Sequence, residues 1–412
     1  MPLVVQKFGG TSVGSVEKIK DVAKLVAQSS HAQKNVVVVS AMSGETNRLV
    51  KAALEISAQP FLPAYDMLLA SGEQVSCALL AIALHELGIK AQPLLGFQAG
   101  IQTDSLFSNA RIKNIQSSVL EAILANDTIP IIAGFQGVSD SDDELIPLIT
   151  TLGRGGSDTS AVAVAAALKA DRCDIFTDVD GVYTCDPRIV PQARRIKQMS
   201  FDEMMELASL GAKVLHMRSV ELAAKFNIPL RVLSTFKPHD GATLVTNLGN
   251  MESPVVTALS AESGETLMSF QLPDKEGQKP SVFFKPLAAA GINVDVINKT
   301  SADHSGQCTL SFTVPTGEVK RVAEILKTHN VMIHRTPLAK VSIVGIGMRT
   351  HAGVAARMFE ALENRQIPIH LVTTSEIKVS CLIPESEKNL ALQCLHEEFE
   401  LALERAAEYR TK

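Results

Sequence analysis

The sequence predicts an α/β architecture: a mostly parallel sheet sandwiched by helices, followed by two small α+β modules. Three observations carry that reading. As far as residue 246, short apolar runs rich in β-branched residues alternate with stretches of helical spacing, the pattern of a parallel sheet with crossover helices. Aromatic residues are only 4% of the 412, with no Trp, so the cores must be built from Val, Ile, Leu and Ala. Beyond residue 254 the chain repeats itself at an offset of 75 residues. With 46% apolar and 20% charged residues there is ample material for packed cores, and disorder is excluded as the main state.

Residues 3–8 read as the first strand and run directly into Gly9-Gly10. Val16, Ile19, Ala23 and Val26 then recur at helical spacing. Residues 36–39, four valines, form a buried-strand run ending in the polar loop 40–48. Residues 129–135 are a further strand, closing on Gly134-Phe135-Gln136-Gly137. Residues 159–170 are an alanine-rich helix, and 175–177 a strand opening into Asp178-Val179-Asp180-Gly181. Residues 230–233 are one more strand. Each Gly-rich or polar loop lies at the carboxyl end of a strand, where open parallel sheets bind ligands.

The pattern breaks at residues 247–254, Asn-Leu-Gly-Asn-Met-Glu-Ser-Pro, a linker after a first domain of residues 1–246. The offset of 75 then pairs Phe284 with Phe359, Leu287 with Leu362, Ile292 with Ile367 and Val294 with Ile369. Each copy reads strand, helix, strand, strand, helix. The first runs through 266–272, 281–290, 293–300, 309–314 and 317–327, with a closing strand near 331–335. The second runs through 340–346, 353–364, 369–374, 377–383 and 385–401, then runs out of chain. An unpaired sheet edge is a liability, and the strand-like segment 255–259 is spare. The first module (265–336) is therefore expected to be inserted within the second (255–264 and 337–412).

The 39 basic and 44 acidic residues leave a net charge of −5, with no basic excess to suggest nucleic acid or an anionic membrane. The N-terminus lacks the charged and apolar regions of a signal peptide. No uninterrupted apolar run exceeds eight residues, as in 161–168, against about 20 needed to span a bilayer. Six scattered cysteines without a CxxC read as reduced thiols of a cytoplasmic protein.

Three motifs carry chemistry. Lys7-Phe8-Gly9-Gly10-Thr11-Ser12 joins a strand to a helix through two glycines and two hydroxyls. Amides at a helix N-terminus bind anions, and glycines let a phosphate approach the backbone. The same Gly-Gly also suits an ordinary turn, and the lysine before the loop fits neither the GxxxxGK[ST] nor the GxGxxG pattern. In residues 151–160, Thr-Leu-Gly-Arg-Gly-Gly-Ser-Asp-Thr-Ser, Arg154 is suited to clamp a carboxylate or phosphate. Asp158 there serves catalysis, helix capping, or both. Residues 176–188, Phe-Thr-Asp-Val-Asp-Gly-Val-Tyr-Thr-Cys-Asp-Pro-Arg, form an acidic, hydroxylic loop suited to Mg²⁺, ribose hydroxyls or plain solvation. Lesser signals are residues 40–47 and Ser71-Gly72-Glu73-Gln74. At the helix start expected there, Glu73 binds an ammonium or complements the dipole.

Together these residues resemble the aspartate kinases, of the amino-acid kinase family. Residues 7–13, Lys-Phe-Gly-Gly-Thr-Ser-Val, are similar to its N-terminal signature, and 153–159 and 177–183 match two further motifs in order. Residues 211–216, Gly-Ala-Lys-Val-Leu-His, are a fourth match. The resemblance covers essentially the whole chain, and four motifs in sequence make it specific. The C-terminal repeat resembles a tandem pair of ferredoxin-like ACT domains, small amino-acid-binding regulatory modules, and the inserted arrangement is what that family implies.

The resemblance implies transfer of the γ-phosphoryl group of ATP to the β-carboxylate of L-aspartate, giving 4-phospho-L-aspartate, the start of lysine, threonine and methionine synthesis. It implies that Lys7 neutralises charge on the transferring group, aided by the Gly9 and Gly10 amides, and that Asp158 orients Lys7. Arg154 would bind the α-carboxylate of aspartate and Glu73 its ammonium. Thr46, Phe135, Gly155, Gly156 and Ser157 would complete the substrate pocket, with Ser40 at the nucleotide–substrate junction. Phe8, Thr177, Asp178, Tyr183, Arg188, Lys213 and Val214 would hold the nucleotide. Mg²⁺ is expected on the ATP phosphates, with no protein ligand assigned.

For regulation, the resemblance points to Asp274, Gly277, Ile292, Asn293, Asn298, Gly353, Val354, Thr374 and Ser375 as effector contacts. Relatives usually carry Pro where this chain has Glu276, and often Gln-Asn near Asn298-Lys299, which leaves lysine, threonine or both open as effectors. A homodimer or higher oligomer is expected, because paired ACT domains commonly bind effectors between subunits. Two other readings stay open: a glutamate or acetylglutamate kinase, and a catalytically inactive amino-acid sensor. The paired modules and the 211–216 motif argue against the first; retention of Lys7, Arg154 and Asp158 argues against the second. Met251 is either an ordinary linker methionine or the internal start of a separate regulatory chain.

Overall fold

Strand β1 (Leu3–Phe8) sits in the middle of an eight-stranded sheet, its Val4, Val5 and Phe8 side chains fully buried. The computed structural model describes residues 1–140, 146–211, 214–248, 255–273, 280–300, 307–327, 332–333, 337–349 and 351–403. The chain forms two units: residues 1–182 with 195–251, and residues 183–194 with 252–412.

In the first unit β1 is followed by α1 (Val16–Ser29), β2 (Lys34–Val39), α2 (Glu45–Ile56), α3 (Leu62–Glu86), β3 (Ala91–Leu94), β4 (Ile101–Thr103) and β5 (Ile112–Ile115). Next come α4 (Ser118–Ala125), β6 (Ile129–Ala133), β7 (Gln136–Ser139), β8 (Ile149–Thr151), α5 (Gly156–Ala167) and β9 (Arg172–Thr177). The unit ends with β10 (Gln198–Ser200), α6 (Phe201–Ser209), α7 (Met217–Phe226), β11 (Leu230–Ser234) and β12 (Ala242–Thr246). The main sheet has the order β10-β12-β11-β9-β1-β2-β6-β3. Every pairing in it is parallel except β11 with β12. Helix α1 begins where Ser15 Oγ accepts from Lys18 N; it buries Ile19, Ala23 and Val26 of the stripe expected from the sequence, together with Val22, whereas Val16, in its first turn, is exposed. A second sheet, β5-β4-β7-β8, has strands of only three or four residues, too short for a period to register.

Helix α3 changes two sequence expectations. Its 25 residues are long and apolar enough to cross a bilayer, although no single apolar run is long. It buries Asp66 and Glu73 and packs on α1, β3 and β6, as a core helix does. Glu73 therefore lies in mid-helix, not at a helix start, and dipole complementation is not its role.

The second unit contains β13 (Ala258–Pro273), α8 (Ser281–Ala289), β14 (Asp295–Lys299), β15 (Gln307–Pro315), α9 (Val319–Ile325) and β16 (Met332–Ile333). It continues with β17 (Leu338–Val344), α10 (Val354–Glu363), β18 (Leu371–Thr374), β19 (Lys378–Pro384) and α11 (Lys388–Glu398). One sheet runs β14-β15-β13-β17-β19-β18, with β16 also pairing with β13. The segments read as separate strands at 255–259 and 266–272 are one 16-residue strand, β13. Its first half pairs with β17 and its second half with β15, across a register shift between Ser263 and Glu265. Continuity removes the edge that two separate strands would have left open. Leu287 and Leu362, related by the repeat, are 1% and 0% exposed in the cores of the two modules.

Residues 183–194 lie in sequence between β9 and β10 but belong to the second unit. There Cys185, Val190 and Ala193 join a core with Met358, Leu362 and Leu395. Thr184 Oγ1 lies 3.1 Å from His396 Nε2, and Leu259 N donates to Thr184 O. Met251 and most of the 247–254 linker lie outside the described residues.

Leu287→Ala and Leu362→Ala are each expected to cost about 2–5 kcal/mol, measured by urea unfolding of the full chain. A loss well under about 1 kcal/mol at either position would show that it is not a core position of its module.

Candidate active site

The carboxyl ends of β1, β2 and β6 open onto one cavity of about 330 Å³. It is lined by Lys7 of β1 and Gly10 of the loop after it, by residues 40–44 of the loop after β2 and Thr46 of α2, by Glu73 of α3, by Phe135, and by residues 153–158. Lys7 is placed by register, opposite Val38 of β2 and Ile175 of β9. Its Nζ lies 2.6 Å from Asp158 Oδ1, with both side chains about nine-tenths buried. The contact is an ion pair outside hydrogen-bond angles.

Asp158 does not cap α5. The cap is Gly155 in the left-handed region (φ +66), and Asp158 stands in the first turn, its carboxylate committed to Lys7. The two glycines of the first loop also divide. Gly9 N donates to Phe176 O at 3.1 Å, so that amide is not offered to a phosphate. Gly10 lines the cavity and accepts from Ser43 N. A Cβ on Gly10 would stand 2.8 Å from Ala41 O, so only glycine lets the two loops close this far.

Glu73 is 4% exposed. Ala41 N donates to its Oε1 at 3.0 Å, while Oε2 is buried with no partner among the described residues. Burial pushes its carboxyl up to about 7, against the bonds from the backbone that hold it down. An unpaired acceptor in a cavity wall suits a cationic donor. Arg154 is exposed, with no carboxylate partner among the described residues. Phe135 takes a left-handed φ of +67, rare for a non-glycine residue, and is held by Ser160 Oγ on its N–H and by Leu152 N on its carbonyl.

Of the residues expected at the site, Lys7, Gly10, Ser40, Thr46, Glu73, Phe135, Arg154, Gly155, Gly156, Ser157 and Asp158 meet in this cavity. Phe8 does not: its ring is buried and stacked on Phe176 with centroids 4.6 Å apart, a core contact between neighbouring strands. Thr177 and Asp178 stand at the carboxyl end of β9, outside the cavity lining, with Thr177 Oγ1 donating to Asp178 Oδ1. Val214 is half-buried and outside the lining, and Lys213 lies outside the described residues. Tyr183 and Arg188 belong to the second unit, where Tyr183 packs against the hydrophobic core and Arg188 pairs with Asp186 at 2.7 Å. Met42, Ser43 and Gly44 line the cavity without having been singled out; the polar loop 40–47 was their only signal.

The residue-by-residue match extends to whole-chain comparison. The amino acid kinase family profile matches residues 2–234, and an ACT domain profile matches residues 341–399. The aspartokinase of Pseudomonas aeruginosa is 48% identical over 415 residues, covering 97% of this chain and 98% of its own. The chain belongs to the aspartate kinases of the amino acid kinase family. The aspartokinase of Geobacillus stearothermophilus is 46% identical, with 99% of each chain covered. Among solved structures, Escherichia coli aspartokinase III in complex with aspartate and ADP is 28% identical, with a TM-score of 0.75 over 96% of this chain and 99% of that one. As an aspartate kinase, the protein uses ATP as phosphoryl donor and carries the amino acid kinase fold followed by ACT domains.

Its effector-contact candidates divide by burial. Ile292 and Val354 are 4% and 6% exposed, so their side chains are core. Asn293 and Asn298 are exposed. Gly353 is the left-handed cap of α10, while Thr374 and Ser375 stand at the end of β18. Asp274, Gly277 and Glu276 lie outside the described residues.

The raised Glu73 carboxyl sets a pH dependence. The folded state holds this proton up to about pH 7, well above an unfolded carboxyl, so the ligand-free enzyme loses stability as pH rises through that interval. Glu73→Gln is expected to match the parent below about pH 4 and to exceed it by roughly 3 kcal/mol at pH 8. Thermal melts without aspartate would read this; parallel pH profiles for the two proteins would refute it.

Proposed function

We propose that the cavity holds the substrate's amino and α-carboxylate groups at Glu73 and Arg154 while Lys7 receives the transferring phosphoryl group. The observation that carries this reading is the buried Lys7–Asp158 pair, 2.6 Å apart, in the cavity that also contains a guanidinium and an unpaired carboxyl oxygen. The β-carboxylate of aspartate is the nucleophile. It is already ionised, so no general base is required. One of its oxygens bonds to the γ-phosphorus as the bond to the β,γ-bridging oxygen breaks, and ADP leaves. Catalysis is then positioning plus neutralisation of charge. Lys7 supplies the neutralisation, Asp158 fixes its ammonium, and the Gly10 side of the first loop contributes the close approach. Thr46, Phe135, Gly155, Gly156 and Ser157 shape the pocket, and Ser40 stands where it meets the nucleotide. Thr177, Asp178 and Val214 hold the nucleotide beyond the end of β9.

No cluster of three metal-ligating side chains occurs among the described residues. The cavity's two carboxyls are Asp158, spent on Lys7, and Glu73. They do not make a protein cage, and Mg²⁺ is proposed to arrive on the ATP phosphates.

We further propose that the enzyme opens the route to lysine, threonine and methionine in the cytoplasm, and that lysine, threonine or both regulate it through the ACT domains of a homodimer or larger oligomer. Support comes from the E. coli relative crystallised with lysine and aspartate, 28% identical with a TM-score of 0.76.

Lys7→Ala is expected to lower turnover by at least about 100-fold in protein that stays folded at the assay temperature, with a lower melting temperature because Asp158 is left without its partner, the turnover being read by hydroxamate formation from aspartate, ATP and hydroxylamine. A folded variant with near-normal turnover would remove the assignment. Titrating lysine and threonine, singly and together, is expected to lower the rate; indifference to both would remove the proposed effectors.

A further inference from the structure

We propose that Asp66 and Arg218 are positioning residues for aspartate binding: together they clamp the main chain that carries Arg154. This rests on reading Arg154 as the ligand of the α-carboxylate. Neither residue lines the cavity. Asp66, on α3, is 0% exposed and has no basic partner among the described residues. Its Oδ2 accepts from Thr151 N at 2.7 Å and from Ser108 N at 2.9 Å, and its Oδ1 from Ser108 Oγ at 2.9 Å. Arg218, on α7, supplies the complementary half. Its Nη1 donates to Leu152 O at 2.8 Å and its Nη2 to Ala110 O at 2.7 Å. A direct bond from Ala110 N to Thr151 O closes the two segments on each other. The carboxylate thus collects main-chain N–H groups and the guanidinium main-chain carbonyls of the same two segments, in charge-assisted bonds.

The clamped backbone is held in conformations that need external support. Ser108 has a φ of +64, and two of its groups bond to Asp66. Gly153, which links Leu152 to Arg154, has a φ of +74, and a Cβ there would lie 3.0 Å from Ser108 O and 3.1 Å from Asn109 Oδ1. Arg154 leaves the chain immediately after this close approach, so a shift at residues 108–110 or 151–152 passes directly to its guanidinium.

Helix α3 ties this clamp to the other end of the substrate. Asp66 and Glu73 are seven residues apart, two turns and about 10 Å along one helix face. One faces the cavity as the ammonium site; the other fixes the loop that bears the α-carboxylate site. The separation between the two charges that read the amino acid is therefore set by one rigid element.

The test uses full-length protein and steady-state kinetics. In Asp66→Asn the amide oxygen can still accept from both main-chain N–H groups with the N–H₂ turned to Ser108 Oγ, but the negative charge that strengthens these bonds is lost, so the clamp weakens. The expected result is a rise of at least about tenfold in KM for aspartate, equivalent to about 1.4 kcal/mol, with KM for ATP within about twofold. Arg154→Ala is expected to raise the aspartate KM as well. Because Asp66 acts through Arg154, the double variant is expected to be no worse than Arg154→Ala alone. Additive effects, or equal damage to both KM values, would overturn the proposal. An aspartate KM raised by Arg154→Ala but untouched by Asp66→Asn would also overturn it. An unchanged KM in Arg154→Ala would instead overturn the reading of Arg154 and the proposal with it. If Asp66→Asn does not fold, Ser108→Ala and Arg218→Gln serve. A selective rise in aspartate KM in both sustains the clamp, and no rise in either refutes it.

Discussion

The ammonium of Lys7 and the carboxylate of Asp158 meet at 2.6 Å although 151 residues separate them in the chain. The meeting imposes conditions on nearly every element of the first unit. β1 must lie between β2 and β9 in the observed register to place Lys7 at the sheet's carboxyl edge. Helix α5 must begin over that edge, and it does so through a left-handed glycine cap that leaves Asp158 free to pair. A buried pair of this kind tolerates loss of either partner poorly, because the survivor becomes an uncompensated buried charge. The contact that would neutralise a transferring phosphoryl group thus also locks strand to helix.

The features that were legible in the sequence are those whose signal is local. The four valines of β2, the helical stripe of α1 and the glycine-flanked Arg154 all carry their pattern within a few residues. Lys7 and Asp158 were legible as candidates, but the balance between capping and catalysis for Asp158 was not, because it turns on Gly155 adopting a left-handed φ. Glu73 was found for a partly wrong reason: its neighbours look like a helix start, and only the full span of α3 puts it in mid-helix. Asp66 and Arg218 gave no signal at all. Apart from the Ser108 hydroxyl, their partners are main-chain groups 42 to 108 residues away, and main-chain groups leave no trace in residue identity.

The second unit shows the same division between local and distant information. Its repeat was visible from matched apolar positions, because core-facing side chains recur wherever a fold recurs. The fusion of two expected strands into β13 was not visible, since the sequence places a module boundary at 264/265 and the structure uses those residues as a shift of register within one strand.

The excursion of residues 183–194 bears on how separable these parts are. The sequence arranges kinase and ACT segments one after the other, yet the core of the second unit contains Cys185, Val190 and Ala193, which are encoded before the last three strands of the kinase sheet. A polypeptide started at Met251 would inherit the α10 and α11 core without those three side chains, and would have to borrow them from a full-length neighbour or fold around a void. Conversely, a catalytic fragment cut at the linker would carry a stretch of apolar chain with its natural covering removed. The boundary along the gene and the boundary in space are therefore different boundaries, and a clean exchange of ACT modules between enzymes of this kind would have to move two segments of sequence together.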